Sequence, residues 1–137
     1  MTEEQRIRDV MKDVLATFSQ LDIAAWLQCF HFPFQIVSSE GIFAPSSKAE
    51  GQKMMEPFVD SLRAKGFKRT QLEKCSVKLL SNTTAIASIV FSRFYGEDNV
   101  IEQLGGTYFF FKADNLWRVT MVTTHSPDVM VISESND

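Results

Sequence analysis

Residues 105–127, "GGTYFFFKADNLWRVTMVTTHSP", decide the fold that this sequence predicts. β-Branched and aromatic residues fill both halves of the stretch, and the short run "ADN" at 113–115 separates them. β-Branched and aromatic residues favour strands, whereas Asp and Asn favour tight turns. The stretch therefore predicts a long antiparallel hairpin.

The register of this hairpin decides where His125 lies, and two placements stay open. A three-residue loop at 113–115 puts His125 on the same face of the sheet as Gln103. A two-residue loop, or a bulge at Gly105-Gly106, puts it beside Tyr108 instead. The choice matters because a slip of one residue turns every side chain to the other face.

A second hairpin, over residues 84–112, precedes this one and has "GEDN" at its turn. Pairing Tyr95 with Val100 across that turn places Arg93 opposite Glu102. Opposite charges on paired strands indicate a cross-strand ion pair, which is how we interpret these two residues.

Helices are predicted ahead of the hairpins. Apolar residues from Ile7 to Phe18 recur at the spacing of one helix face. Asp22 can cap a short second helix at 23–30, which Pro33 ends because the residue before a proline is disfavoured in a helix.

A third helix opens at a capping box, residues 47–50, and ends near Gly66. The apolar residues of this helix recur at helical spacing and are predicted to be buried: Met54, Met55, Phe58, Val59 and Leu62.

Strands fill the remaining positions. Two short ones, at 34–39 and 42–45, separate the second helix from the third, and an alternating strand at 74–79 follows. This order predicts the α+β class: a strongly curved, mostly antiparallel sheet wrapped by three N-terminal helices, in one domain over residues 1–137.

Both faces of the central strands are apolar. Ile86 and Val90 lie on one face, and Ala87 and Ile89 lie on the other. Three helices can cover only one face in a chain of 137 residues. A second copy of the chain is therefore predicted to cover the other face, which gives a homodimer.

Composition argues against several classes of function. The net charge is −3 and the Lys and Arg residues are scattered, which argues against a nucleic-acid partner. The acidic N-terminus and the lack of a long apolar run predict a cytoplasmic protein with no membrane partner. Cys29 and Cys75 lack the spacing of a disulfide framework or a zinc site. No phosphate loop, dinucleotide fingerprint or two-His metal motif occurs, so no cofactor and no metal are predicted.

The early segment "LDIAAWLQCFHFPFQIVSSEG", residues 21–41, and the late hairpin at 105–127 together resemble the nuclear-transport-factor-2-like superfamily. The likeness extends from about Glu3 to Ser126 and includes its cyclase-like and ketosteroid-isomerase-like members. It implies a cystatin-like cone, in which three helices and a bent sheet enclose a cavity. It does not imply one activity, because members of this superfamily carry out many functions.

The resemblance also implies where a catalytic base would lie. Isomerase-like members carry a general-base aspartate at the end of the first strand, which corresponds to about Ser39 here. A serine cannot accept a proton in that way, and the neighbouring Glu40 lies in a predicted turn. This departure argues against isomerisation of a carbon acid.

Candidate site residues come from the residue types around the implied cavity. His31, His125 and Tyr108 are candidates for proton transfer, because imidazoles titrate near neutral pH. Each histidine also has a structural interpretation: His31 as a cap of the second helix, and His125 as a hydrogen-bonded strand end. Residues that could line the ligand, or simply form the core, are Trp26, Phe34, Met54, Phe58, Gln103, Trp117 and Met121.

The leading hypothesis is a homodimeric domain that binds a small, mostly apolar molecule between helices and sheet. One alternative is a cofactor-independent lyase or isomerase, in which His31 or His125 moves a proton while Tyr108 or Gln103 stabilises an oxyanion. Another is an assembly module whose cavity is filled by its own Phe and Met side chains. The sequence leaves open whether the protein is an enzyme.

Overall fold

Six strands form one sheet, with helices packed on one of its faces, in a computed structural model that describes residues 1–132. The elements are α1 (Glu3–Ser19), α2 (Ile23–Leu27), β1 (Phe30–Ser38), β2 (Gly41–Phe43), α3 (Lys48–Ala64), β3 (Phe67–Leu79), β4 (Thr84–Tyr95), β5 (Val100–Ala113) and β6 (Leu116–His125). The strand order is β2-β1-β6-β5-β4-β3, and only β1 and β6 run parallel. The predicted α+β class and element order are confirmed.

Helix α1 buries the face that its periodicity predicts, from Ile7 to Phe18. Asp22 caps α2, and Ser47 caps α3 by accepting a hydrogen bond from the backbone N–H of Glu50 at 3.2 Å. No helix among residues 1–132 is both long enough and apolar enough to cross a lipid bilayer.

The prediction that five apolar residues of α3 are buried is only partly correct. Met55, Val59 and Leu62 are buried, as expected. Met54 and Phe58, however, are 41% and 39% exposed. They are four residues apart and so share one side of the helix, at the edge of its buried face.

The second helix is shorter than predicted, since α2 ends at Leu27 and β1 already begins at Phe30. The backbone N–H of Val119 donates to the carbonyl of Cys29 at 2.9 Å, and Phe30 then pairs with Val119. Pairing with β6 thus replaces the last turn of the helix. His31 consequently lies within a strand and does not cap a helix.

The β4–β5 hairpin has the predicted register, with Tyr95 opposite Val100 and Arg93 opposite Glu102. In the β5–β6 hairpin, the loop contains two residues, because Ala113 pairs with Leu116.

A bulge at Thr120 then shifts the β5–β6 ladder by one residue, so that His125 pairs with Gly105. The loop thus has two residues, as one of the two alternatives predicted. His125 nevertheless lies on the face of Gln103, which the other alternative predicted, because the bulge shifts the strand by one residue.

The two faces of the sheet are covered differently. The face toward the helices, here called the inner face, carries Ala87 and Ile89 into the main core. On the outer face, Ser88 is buried by the segment 126–132 of the same chain: the Val131 N–H donates to Ser88 Oγ at 3.1 Å, and that hydroxyl contacts the sulfur of Met130 at 3.7 Å. The chain itself thus covers a part of the sheet for which a second copy was expected.

Candidate functional site

The two histidines lie on the outer face of the sheet. His125 Nε2 and Thr107 Oγ1 share a hydrogen bond of 2.8 Å, and Nδ1 lies 2.9 Å from the carbonyl oxygen of Ser126. The ring of His31 packs edge-on against Phe111, with 5.4 Å between centroids. Both imidazoles therefore have structural contacts, outside the space between helices and sheet.

Tyr108 lies on the inner face, opposite Ala87, and is buried. The backbone of the sheet separates it from His31 and His125. The structure thus does not bring the three candidates for proton transfer together. Gln103 and Met121, two candidates for ligand binding, also lie on the outer face.

Aromatic side chains of α2 and β1 pack together in the core beneath the helices. Trp26 and Phe30 lie 4.5 Å apart between centroids, and Phe30 and Phe34 lie 4.4 Å apart. Trp117 is buried as well, and its indole N–H donates to Glu3 Oε2 at 2.6 Å. Trp26, Phe34 and Trp117 accordingly act as core residues here.

A group of polar and aromatic side chains lies on the inner face near the β4–β5 turn. Arg93 and Tyr95 from β4 and Glu102 from β5 share the inner face near the β4–β5 turn, because alternate residues of a strand point to the same side. Phe18 from the last turn of α1 and Phe58 from α3 pack above them. We call these five residues the mouth cluster.

Arg93 is the centre of the mouth cluster. Its side chain is 16% exposed, and its guanidinium carbon lies 5.6 Å from the ring centroid of Phe18 and 5.5 Å from that of Phe58. Phe91, next to it on the inner face, lies at 5.6 Å. These distances are those of cation–π contacts.

Glu102 balances the charge of Arg93 from the solvent side, confirming the predicted ion pair. Its Oε1 atom lies 3.6 Å from Arg93 Nη1 and accepts a hydrogen bond from the Tyr95 hydroxyl at 2.9 Å. Burial raises the pKa of Tyr95, and the hydrogen bond to Glu102 raises it further. The Tyr95 hydroxyl therefore keeps its proton at neutral pH and acts as a donor.

Burial raises the pKa of the Tyr108 hydroxyl to about 12, and the positive charge of Arg93 offsets part of that rise. No residue within 1–132 hydrogen-bonds to this hydroxyl. A phenol in this state can donate a proton to an acceptor but cannot serve as a base at neutral pH.

Two depressions open on either side of the exposed edge of α3. One, of about 340 Å³, is lined by Lys65, Tyr95, Gly96, Val100 and Glu102. The other, of about 250 Å³, is lined by Ile36, Ser38, Glu40, Gly41, Ile42, Phe43 and Met54. Phe58 lies between Met54 and Lys65 along the helix.

The side chains of this region can contact both apolar and polar groups of a small molecule. It offers apolar side chains, one partly buried cation, a carboxylate and phenol donors. Within the described part of the chain, no group of three or more His, Cys, Asp or Glu side chains is placed to hold a metal ion.

The candidate site residues chosen from the sequence include Phe58 but not Arg93, Tyr95 or Glu102, although Tyr95 and Glu102 were both recognised as residues that could lie near the cavity. The predicted register already placed Arg93 and Glu102 opposite each other, on the face of Phe91. A charged pair on the otherwise apolar face of a hairpin was therefore the sequence feature that could have indicated this site. The ion pair becomes part of a site only because Phe18 of α1 packs on Arg93. No local sequence pattern indicates that contact.

Comparison with known proteins agrees with this architecture. The family described as "NTF2-like protein (DUF6841)" matches residues 3–127. No match is found among curated proteins.

Solved structures with low sequence identity share the fold. An NTF2-like protein with a cystatin-like fold from Novosphingobium aromaticivorans has a TM-score of 0.74 at 15% identity, with 90% of this chain and 81% of that chain covered. An NTF2-like protein of unknown function from Shewanella oneidensis MR-1 has a TM-score of 0.73 at 15% identity, with 90% and 98% covered.

A third structure is a putative calcium/calmodulin-dependent protein kinase II association domain from Xanthomonas campestris, with a TM-score of 0.70 at 13% identity and 94% and 91% covered. At these identities the likeness shows the fold alone.

Proposed function

Since this chain belongs to the NTF2-like protein family DUF6841, we propose that it is a small-ligand-binding domain that holds its ligand at the mouth cluster, between α3 and the inner face of β4 and β5. The apolar part of the ligand lies against α3 and the aromatic rings beneath it. The polar part lies among the charged and phenolic groups near the β4–β5 turn.

The exposure of Met54 and Phe58 carries this proposal. A helix that only closed the core would turn such side chains inward, as α3 does with Met55 and Val59. Instead, Met54 and Phe58 are both partly exposed. Met54 lines the depression of about 250 Å³, and Phe58 packs on Arg93, whose partner Glu102 lines the other depression. Exposed apolar surface with a polar rim is typical of ligand-binding grooves.

The positions of the imidazoles favour binding over the histidine-based lyase or isomerase. Both rings lie on the outer face, with their own partners in Thr107 and Phe111. A proton-transfer group must be within hydrogen-bond reach of the substrate. A ligand at the mouth cluster would be on the opposite side of the sheet.

A neutral fluorescent probe, N-phenyl-1-naphthylamine, tests the proposal. We expect saturable binding to the wild-type chain and roughly 10-fold weaker binding to Phe58→Glu, because a charge there removes apolar contact area. The matched control is Leu116→Glu, at another exposed apolar position beside the β5–β6 turn. Binding that is absent, or that the control weakens as much as Phe58→Glu does, would contradict the proposal.

The proposal includes a homodimer formed through the part of the outer face that segment 126–132 leaves open. Support comes from the exposed ring of Phe111 beside His31. Light scattering on the purified protein should give twice the monomer mass, and Phe111→Glu should shift it toward the monomer. A monomer at micromolar concentration would remove this part of the proposal.

A further inference from the structure

We infer that Arg93 anchors a carboxylate, so that the molecule taken by the mouth cluster is a small carboxylic acid with an aromatic or aliphatic body. This inference rests on the proposed function. It names the chemical class of the ligand and the residue that selects it.

The first step is the environment of the guanidinium. Rings from three elements surround it at 5.5–5.6 Å: Phe18 of α1, Phe58 of α3 and Phe91 of β4. Aromatic faces remove most of its contact with water but offer no hydrogen-bond acceptor. Arginine tolerates such a site better than lysine does, because a guanidinium is more weakly hydrated than an ammonium group.

The second step is a hydrogen bond that is not made. Arg93 Nε is buried, and none of residues 1–132 accepts a hydrogen bond from it. Native structures rarely leave a buried donor in this state, and each such case calls for an explanation. A donor kept for a ligand is one explanation. Arg93 does not itself line the opening of about 340 Å³, but Glu102, which lies 3.6 Å from Arg93, does, so the guanidinium lies just behind the wall of that opening.

The third step concerns Glu102, which does not occupy the donors of Arg93. The distance of 3.6 Å from Glu102 Oε1 to Arg93 Nη1 is too long for a hydrogen bond. The Glu102 side chain is also 50% exposed and engaged by Tyr95. It therefore lowers the local positive charge without accepting a hydrogen bond from Arg93, and Arg93 Nε stays without an acceptor among residues 1–132.

A carboxylate fits these donors best, because its two oxygens match the two parallel N–H groups of a guanidinium. Lys65 adds a second cation to the lining of the opening. The rings that surround the guanidinium supply contacts for an apolar body. A neutral apolar molecule would leave Arg93 Nε without an acceptor, and would bind less well.

The test compares two molecules of nearly the same shape, 3-phenylpropanoate and 3-phenylpropanamide, by isothermal titration calorimetry. We expect the wild-type chain to bind the acid at least about 10-fold more tightly than the amide, because a charge-assisted bidentate pair is stronger than a neutral hydrogen bond. Added sodium chloride should weaken the binding of the acid but not that of the amide.

Arg93→Gln should abolish the preference for the acid. The matched control is Arg69→Gln, since Arg69 also stacks on a phenylalanine, with its guanidinium carbon 3.9 Å from the ring centroid of Phe94, but is exposed. This control should keep the preference.

Glu102→Gln keeps the inference testable if Arg93→Gln does not fold. Removing that carboxylate should tighten the binding of the acid relative to that of the amide by about threefold, because the acid no longer competes with a charge beside Arg93. A merely structural role of Arg93 would not produce this gain.

Nuclear magnetic resonance adds a local readout, in which the Nε–H proton of Arg93 should move downfield when the acid is added. Equal affinity for acid and amide, or a preference that survives in Arg93→Gln, overturns the inference and leaves the proposed function standing. If N-phenyl-1-naphthylamine binds but neither phenylpropanoid does, the inference is likewise overturned. If none of the three molecules binds, the proposed function is overturned as well.

Discussion

The imidazole of His125 lies directly over Gly105, its partner across the β5–β6 ladder. A Cβ atom on Gly105 would come within 2.7 Å of His125 Nδ1 and 2.6 Å of the carbonyl oxygen of Ser126. Only a residue without a side chain allows the end of β6 to lie this close, so the glycine fixes the place where segment 126–132 leaves the sheet.

Gly105→Ala should therefore destabilise the protein by about 1–3 kcal/mol, because the added methyl group meets backbone that cannot easily move. Urea unfolding measures the change. The comparison variant is Gly51→Ala in α3, where a Cβ would meet the flexible end of Leu27 at 3.0 Å and Pro45 at an ordinary contact distance of 3.6 Å. Alanine also favours a helix, so this variant should stay within about 1 kcal/mol of the wild type. Equal stability of Gly105→Ala and the wild type would contradict the prediction.

The two tyrosines should respond differently to loss of the hydroxyl. Tyr95→Phe removes the hydrogen bond to Glu102 and should cost about 0.5–1.5 kcal/mol. Tyr108→Phe should change the free energy of unfolding by less than about 0.5 kcal/mol, since no residue within 1–132 hydrogen-bonds to that hydroxyl. Denaturant unfolding of the two variants side by side checks this order, and a larger loss for Tyr108→Phe would refute it.

Cys29 should be nearly inert toward alkylating reagents. Burial, reinforced by the carboxylate of Asp13, raises the pKa of its thiol to about 11. At pH 8 only about one thousandth of it is thiolate, the form that reacts. Iodoacetamide labelling followed by peptide mass spectrometry should show Cys29 reacting roughly 100-fold more slowly in the native chain than in urea. Similar rates in the two conditions would show that the thiol is not shielded.

Glu3 should make the stability of the protein depend on acid pH. Its carboxylate accepts hydrogen bonds from Lys112 Nζ at 2.9 Å and from the indole of Trp117. The bond from Lys112, followed by that from Trp117, holds its pKa below the ordinary value of 4.5. A depressed pKa means that the stabilisation is complete above the ordinary value and is lost as the pH falls through the lower, folded-state value.

Glu3→Gln should accordingly lower the melting temperature at pH 7, and its deficit against the wild type should shrink as the pH falls below 4.5. Glu56→Gln, at an exposed position of α3, is the control and should have little effect at any pH. A deficit that is independent of pH would mean that packing, and not the charge of Glu3, holds this contact.

Local patterns predicted the β4–β5 hairpin well, because nothing interrupts its alternation between Tyr95 and Thr84. The β5–β6 hairpin was harder. Both residues of its loop, Asp114 and Asn115, adopt positive φ angles of 52° and 64°, which favours a two-residue turn. No sequence feature marks the bulge at Thr120 in the same way, because a threonine fits a regular strand equally well.

The long-range parts of the fold could not be predicted from local patterns. The parallel pairing of β1 with β6 and the passage of segment 126–132 over Ser88 join residues far apart in sequence. The mouth cluster has the same origin: the Arg93–Glu102 pair was predicted, but the phenylalanines that desolvate it come from α1 and α3. Burial of a charged group depends on which elements meet, and that is a property of the assembled chain.

Because β1 reaches the rest of the sheet only through β6, the order of synthesis matters for this protein. Before β6 is synthesised, β3, β4 and β5 can already pair with one another. β1 and β2 can pair only with each other, because nothing yet joins them to the rest of the sheet. The aromatic side chains of β1, Phe30 and Phe34 among them, stay without β6 until Leu116–His125 emerges. The nascent chain should therefore be most vulnerable to aggregation, and most in need of a chaperone, just before its final strand is released.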